Sequence, residues 1–185
     1  MRWMIPGTAL WDDRERSDTI ADQFGALFLA GGMVLNQVCT VTGLEAYTIQ
    51  NWVKRGFLTP PVNKRYSLRQ LCRIININML KGALPMDKIC GLLGYVNGHL
   101  DDESDDIIDD SALYFMFVRL AARLKEAFDP AVQEKLIADE LAMYEEPLPG
   151  AKKRVEKALR IMLTAWLAAR MRQEAERMLE DLNEY

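Results

Sequence analysis

Apolar residues recur every three or four positions along most of the chain, which is the spacing of one face of an α-helix. Glycine and proline residues interrupt this pattern and mark where helices end. The sequence therefore predicts a mainly α fold. Outside the segment treated next, the expected helices run from Ser17 or Asp18 to Ala30 and over Leu68–Lys81, Pro85–Leu93, Ala112–Phe128, Pro130–Tyr144 and Ala151–Leu182.

The segment Leu35–Tyr66 has the pattern of a helix-turn-helix. Val38 and the small Cys39 occupy inward positions of the first helix, and Gly43 lies where the turn requires a positive φ. The second helix carries apolar residues at spacings that direct them back towards the first: Leu44, Ile49 and Trp52.

The outward positions of the second helix are polar or aromatic: Tyr47, Thr48, Gln50, Asn51 and Lys54. Amide and hydroxyl side chains can hydrogen-bond to base edges, and a lysine can neutralise a phosphate. We therefore expect this face to lie in the major groove of DNA, with Gln50 and Asn51 as the main base-reading residues.

A basic turn follows the second helix. Lys54-Arg55-Gly56 ends the helix, and the two prolines of Phe57–Pro61 favour extended backbone. Val62–Tyr66 then predicts a tight turn leading into a short strand, and Ser67–Gln70 is a capping box that opens the next helix. Helix, turn, helix and basic hairpin is the order of a winged helix, in which Lys64 and Arg65 would contact phosphates.

These residues resemble a known family. Thr48–Pro60 and Lys64–Ser67 are similar to the MerR-type winged helix-turn-helix. A closer resemblance, over about residues 10 to 125, is to the bacterial domain-of-unknown-function 1836 family. It is carried by Ile49–Lys54, Ile75–Lys81 and Asp105–Asp110. The resemblance implies a DNA-binding regulator that pairs this domain with an acidic loop and a helical tail.

The chain departs from MerR-type regulators in several respects. Gln50 stands where those proteins usually have arginine, the hairpin is shorter, and the metal-sensing cysteine pattern is missing. The Pro85 turn and the acidic loop replace the helix that normally dimerises. The resemblance therefore does not imply metal sensing or promoter untwisting.

The charge is distributed unevenly. The formal net charge is −4, yet between Met33 and His99 eight basic residues are opposed only by Glu45 and Asp87. A basic module within an acidic protein is typical of nucleic-acid binding, although basic residues can also simply cover a solvated face. Arg69 and Arg73, which follow the basic turn, could reach a phosphate or remain solvated.

Other function classes find little support. Three cysteines without CxxC spacing indicate reduced, buried thiols in a cytoplasmic protein and no metal or cofactor site. The single histidine, His99, has no catalytic motif beside it, so we expect no enzyme. No apolar run reaches the length of a membrane span, and the acidic residues Asp12, Asp13 and Glu15 are atypical of a signal peptide.

We call Asp101–Asp110 the acidic segment. Its carboxylates repel one another, so it is expected to be an exposed linker, with Asp109 to Ser111 capping the next helix. It lacks the glycine and the ligand spacing of an EF-hand calcium loop. The alternative is regulatory, namely that the acidic segment competes with DNA for the basic face.

The last helix is apolar nearly all round at Ile161–Ala169, which requires burial on several sides. A helix of about 45 Å exceeds what a small bundle covers. We therefore expect part of it to pack against a second copy in a homodimer. The alternative is that it forms the centre of its own bundle.

These patterns divide the chain into an N-terminal arm and helix (1–32), a winged helix-turn-helix domain (33–99), an acidic linker (100–111) and a helical C-terminal domain for dimerisation or effector binding (112–185). The expected function is sequence-specific transcription regulation, with double-stranded DNA as partner and an unidentified small molecule as a candidate effector. The alternative is a protein–protein interaction module on a winged-helix scaffold.

Overall fold

The computed structural model of the chain describes residues 1–124 and 129–182. Within these ranges the fold is mainly α, as predicted. One antiparallel hairpin pairs β1 (Arg2–Met4) with β2 (Trp11–Asp13). The α-helices are α1 (Ile20–Leu27), α2 (Leu35–Thr42), α3 (Ala46–Lys54), α4 (Leu68–Leu80), α5 (Met86–Asn97), α6 (Asp110–Leu124), α7 (Pro130–Glu140) and α8 (Ala151–Asp181).

The N-terminal arm differs from the prediction. The β1–β2 hairpin was not expected, and a 3₁₀ turn over Arg14–Thr19 precedes α1. Asp13 caps this turn by accepting a hydrogen bond from Glu15 N. The N-cap of α1 is Thr19, so the helix begins later than the predicted start at Ser17 or Asp18. Ile20 and Phe24 of α1 are buried, whereas Leu27 is exposed.

The core is built around α4. Every residue from Leu71 to Ile77 is buried, including Arg73 and Asn76, because α2, α5, α6 and α8 all pack against this helix. Tyr114 of α6 is fully buried, and its hydroxyl donates a hydrogen bond to Pro6 O, 3.0 Å away. This contact fixes the loop of the N-terminal hairpin to the same core.

The apolar middle of α8 packs within its own chain. Met162, Leu163 and Trp166 are buried against a bundle that includes α5, α6 and α7, and the Trp166 and Phe117 ring centroids lie 5.8 Å apart. The middle of α8 thus lies within a bundle of its own chain, as the alternative predicted. Pairing of part of α8 with a second copy stays a prediction. The end of α8, from Met171 onward, is exposed.

One predicted helix boundary lies outside the described ranges. The helix predicted to end at Phe128 is described as far as Leu124, and residues 125–128 and 183–185 lie outside the described residues. Among the described helices, none combines the length and the apolar character needed to cross a membrane.

Candidate nucleic-acid interface

The two short helices and the glycine turn predicted for Leu35–Lys54 are present. α2 ends at Gly43, whose φ of 70° is the left-handed conformation that glycine favours. Val38, Ile49 and Trp52 are buried between the helices and α4, as predicted from their spacing. Cys39 is half-buried. The packing of this pair therefore leaves one side of α3 facing away from the core.

The outer face of α3 contains the predicted base-reading residues. Tyr47 is 77% exposed, and Gln50 and Lys54 are also exposed. Thr48 and Asn51 are half-buried on the flanks of this face. Because Tyr47, Gln50 and Lys54 are spaced by three and four residues, they lie along the same side of the helix.

The basic turn Val62–Tyr66 is tight, as predicted. Val62 and Arg65 form a β-bridge, and the two residues between them, Asn63 and Lys64, have φ values of 50° and 61°. Left-handed backbone destabilises a residue with a side chain by roughly 1–2 kcal/mol, so Lys64 occupies a strained position. The predicted strand after the turn is only an isolated bridge between Tyr66 and Met33.

Arg65 and Lys64 differ in their contacts. The Arg65 guanidinium donates a hydrogen bond from Nη1 to Gly32 O, 2.8 Å away, which anchors the turn to the loop before α2. Within the described part of the chain, the Lys64 ammonium has no hydrogen-bond or ion-pair partner. Lys64 is thus the more available of the two cations for a phosphate.

A cavity of about 500 Å³ lies between α3 and the basic turn. Gln50 and Lys64 both line it, one from each element. Its floor is mostly apolar and is formed by Val34, Leu35, Val53, Pro61 and Tyr66. The structure therefore brings the predicted residues of the helix and of the turn to one concave surface.

The first turn of α4 is hydrogen-bonded to the extended segment that precedes the basic turn. The predicted capping box is present, since Ser67 Oγ accepts from Gln70 N and Gln70 Oε1 accepts from Ser67 N. Gln70 also donates to Thr59 O and Pro60 O, each at 3.1 Å. The extended segment before the turn is thereby tied to the helix after it.

The prediction that Arg69 and Arg73 reach a phosphate or remain solvated is wrong in both alternatives. The Arg73 guanidinium is buried, donates from Nε to Phe57 O at 3.0 Å, and pairs with Asp110 at 3.3 Å. Arg69 lies 2.8 Å from Asp106 and 3.2 Å from Glu103. Both arginines are therefore occupied by the acidic segment.

The acidic segment is accordingly not the fully exposed linker that its charge predicts. Asp110 is only 1% exposed, and Ile107 and Ile108 are buried. These two isoleucines anchor the segment in the core and bring the carboxylates beside α4. The predicted cap is confirmed, because Asp109 Oδ1 accepts hydrogen bonds from Ser111 N and Ala112 N.

Burial changes the acidity of two carboxyl groups in this segment. Desolvation raises the pKa of Asp106 to about 6, although the Arg69 guanidinium opposes the shift. Burial likewise raises the pKa of Asp110, and Arg73 opposes it. Asp106 therefore loses its proton near pH 6 and is mostly charged at neutral pH.

This shift predicts a pH-dependent stability. Because the pKa of Asp106 rises from 3.8 to about 6 on folding, the folded chain binds more protons than the unfolded chain between these values. The stabilising contribution is full below this window and is lost as the pH rises through it. Relative to Asp106→Asn, we expect the free energy of unfolding of the wild type to fall by on the order of 1 kcal/mol between about pH 4 and pH 7, after allowance for solvent screening.

Urea unfolding of both proteins across this pH range measures the difference. Asp101→Asn is the matched control, because Asp101 belongs to the same segment but is exposed. A difference between wild type and Asp106→Asn that stays constant with pH would contradict the prediction.

The described residues contain no cluster of three or more histidine, cysteine, aspartate or glutamate side chains arranged to hold a metal ion. Cys39, Cys72 and Cys90 are free thiols, and burial raises the pKa of each. A raised pKa keeps a thiol protonated and unreactive at neutral pH.

The candidate interface lies in a part of the chain that matches a protein-family model. The uncharacterized protein YkrK of Bacillus subtilis (strain 168) is 32% identical over 84 residues, which cover 43% of this chain and 36% of that protein. The chain thus spans only about a third of this relative's length. No solved structure matches the chain. Residues 28–117, which run from the end of α1 into α6, match the model of a domain of unknown function, DUF1836.

Proposed function

We propose that the chain is a sequence-specific DNA-binding transcription regulator. In this proposal α2, α3 and the basic turn act as a MerR-like winged helix-turn-helix, with α3 in the major groove. The observation that carries the proposal is the shared concave surface, where Gln50 of α3 and Lys64 of the basic turn line the same cavity. A helix and a turn presented together can follow one groove and the adjacent backbone.

Each residue of this surface has a chemical role in the proposal. Gln50 and Asn51 read base edges, with Tyr47 and Thr48 at the leading end of the helix. Lys54 and Lys64 neutralise phosphates, and the Arg65 donors that are not engaged with Gly32 O can join them. This function is binding without catalysis, in the cytoplasm.

Dimerisation would place two such surfaces on one DNA site. The exposed end of α8 carries apolar residues at heptad spacing, which is the pattern of a two-stranded coiled coil. These residues are Met171, Ala175, Met178 and Leu182. We propose that this stripe, and not the buried middle of α8, pairs two copies, so that the preferred DNA contains two half-sites separated by whole helical turns.

Selection of random duplex DNA against the purified full chain tests the proposal, followed by binding measurements over a salt series. We expect an enriched sequence with two related half-sites. Asn51→Ala should reduce discrimination at one position by about 1–3 kcal/mol, because a base-edge contact is lost. Lys64→Gln should weaken binding to all sequences and reduce the salt slope by about 1, because one phosphate contact is lost.

Lys153→Gln is the matched control, because Lys153 is an exposed lysine at the start of α8, outside the proposed interface. It should leave the affinity and the salt slope unchanged. No enrichment of any sequence, or equal effects of Lys64→Gln and Lys153→Gln, would overturn the proposal.

One observation favours the alternative, a protein-interaction module. The floor of the shared cavity is apolar, and an apolar groove suits a side chain of a protein partner better than a phosphate. Such a module would show no enrichment of duplex DNA in the same selection. DNA is preferred here because Lys64 lines the same cavity and Lys54 is exposed on the same side of α3 as Gln50.

A further inference from the structure

A second cavity lies at the C-terminal end of α4. Its volume is about 480 Å³, which is within the range of small-molecule sites. The loop of the N-terminal hairpin, the end of α4 and the middle of α8 form its walls. Its apolar lining includes Ile5, Met79 and Trp166.

The lining of this cavity is cationic. It contains Lys81, Arg170 and Arg172 and no carboxylate side chain. The Arg172 guanidinium reaches over Gly82, and its Nε lies 3.5 Å from the exposed Glu176 carboxylate on the next turn of α8. Arg170 packs over the Trp166 ring at 5.3 Å from the centroid. Three positive charges around a recess of this size favour an anion.

Lys81 lacks a counter-ion. Its ammonium lies 5.8 Å from the centroid of the Trp52 ring, and it forms no ion pair within residues 1–124 and 129–182. Although the residue as a whole is exposed, partial burial of the ammonium lowers the pKa of Lys81. A partly desolvated cation without a carboxylate partner is stabilised when an anion binds beside it.

We propose that this cavity binds a small organic oxyanion, with its carboxylate or phosphate group on Lys81 and Arg172 and its apolar body against Met79 and Trp166. Both groups are oxyanions, and both accept charge-assisted hydrogen bonds from a lysine ammonium and an arginine guanidinium.

The cavity is connected to the helices of the candidate DNA interface. Lys81 contacts Trp52, which is the buried tryptophan of α3. Asn78, which also lines the cavity, donates hydrogen bonds to Gly7 O at 2.9 Å and to Thr42 O, at the end of α2, at 3.0 Å. An anion that draws Lys81 away from Trp52 would change how α3 packs against the core. An effect of the anion on DNA affinity rests on the proposed function, whereas binding of the anion does not.

Isothermal titration calorimetry of the full chain without DNA tests the site, using benzoate and inorganic phosphate as probes. We expect saturable binding of at least one probe, with one molecule per chain. Stronger binding of benzoate would assign a carboxylate ligand, and stronger binding of phosphate would assign a phosphate ligand. Benzamide, which has the shape of benzoate without its charge, should bind at least about tenfold more weakly than benzoate.

Two variants locate the binding. Lys81→Gln and Arg172→Gln should each weaken binding by about tenfold, whereas Lys88→Gln, an exposed lysine of α5 outside the cavity, should not. Arg172 is exposed, so its replacement is expected to leave the fold intact, and thermal unfolding of each variant checks this. Absence of saturable binding by both anions would overturn the proposal. Equal binding by the two cavity variants and by Lys88→Gln would also overturn it.

Discussion

Replacing Asp110 with asparagine is expected to destabilise the folded chain by about 3 kcal/mol, because the buried Arg73 guanidinium then loses its counter-ion. Both side chains are almost completely buried, and their charged groups lie 3.3 Å apart. For a domain of this size such a loss corresponds to a fall in melting temperature of roughly 6–12 °C. Urea unfolding and a thermal scan of the wild type and the Asp110→Asn protein measure both quantities.

The matched control is Asp101→Asn, which removes an exposed carboxylate from the same acidic segment and should change stability by less than about 0.5 kcal/mol. A double variant, Arg73→Met with Asp110→Leu, should be less destabilised than the sum of its two single variants, because it leaves no unpaired buried charge. An Asp110→Asn protein as stable as the Asp101→Asn control would show that the pair contributes nothing to the fold.

This pair also bears on the candidate DNA interface. Arg73 donates to Phe57 O, in the segment that joins α3 to the basic turn, while Asp110 begins α6. The ion pair therefore links the turn to the C-terminal helices. The charge pattern of the sequence allows Arg69 and Arg73 to lie on the interface, whereas in the structure their ion pairs connect it to the rest of the protein.

Local signals explain which elements could be predicted from the sequence. Gly43, the Ser67–Gln70 capping box and the Asp109 cap each act within a few residues, so their effect on the backbone is visible in the sequence itself. The helix and turn of the candidate interface depend on such signals. The outward position of Gln50 follows from the spacing of the buried residues Ile49 and Trp52.

Non-local pairing explains what could not be predicted. Arg73 and Asp110 are 37 residues apart, and a run of carboxylates taken alone predicts a solvated linker. One signal was available, since Arg73 lies between the apolar pairs Leu71-Cys72 and Ile74-Ile75, where a buried arginine needs a buried partner. Likewise, Pro6-Gly7 is a turn signal that could have indicated the N-terminal hairpin.

The second large effect concerns the bundle around α8. Phe117→Ala is expected to destabilise the chain by about 3–5 kcal/mol, because it leaves a cavity beside Trp166. Phe117 is fully buried, and the two rings meet edge to face, with an interplanar angle of 85°. Phe117→Leu, which keeps most of the volume, should destabilise by less than about 1.5 kcal/mol.

The middle of α8 could be buried by its own bundle or by a second copy. Measuring the destabilisation by Phe117→Ala at two protein concentrations distinguishes these two arrangements. If Phe117 and Trp166 stabilise the chain alone, the loss for Phe117→Ala is the same over a tenfold range of concentration, as measured by urea unfolding. Ile161, which is 46% exposed on α8, supplies the control, and Ile161→Ala should have an effect below about 1 kcal/mol. A large, concentration-dependent effect of Ile161→Ala would instead place a second copy against the middle of α8, and the pairing of copies through Met171–Leu182 would then be wrong.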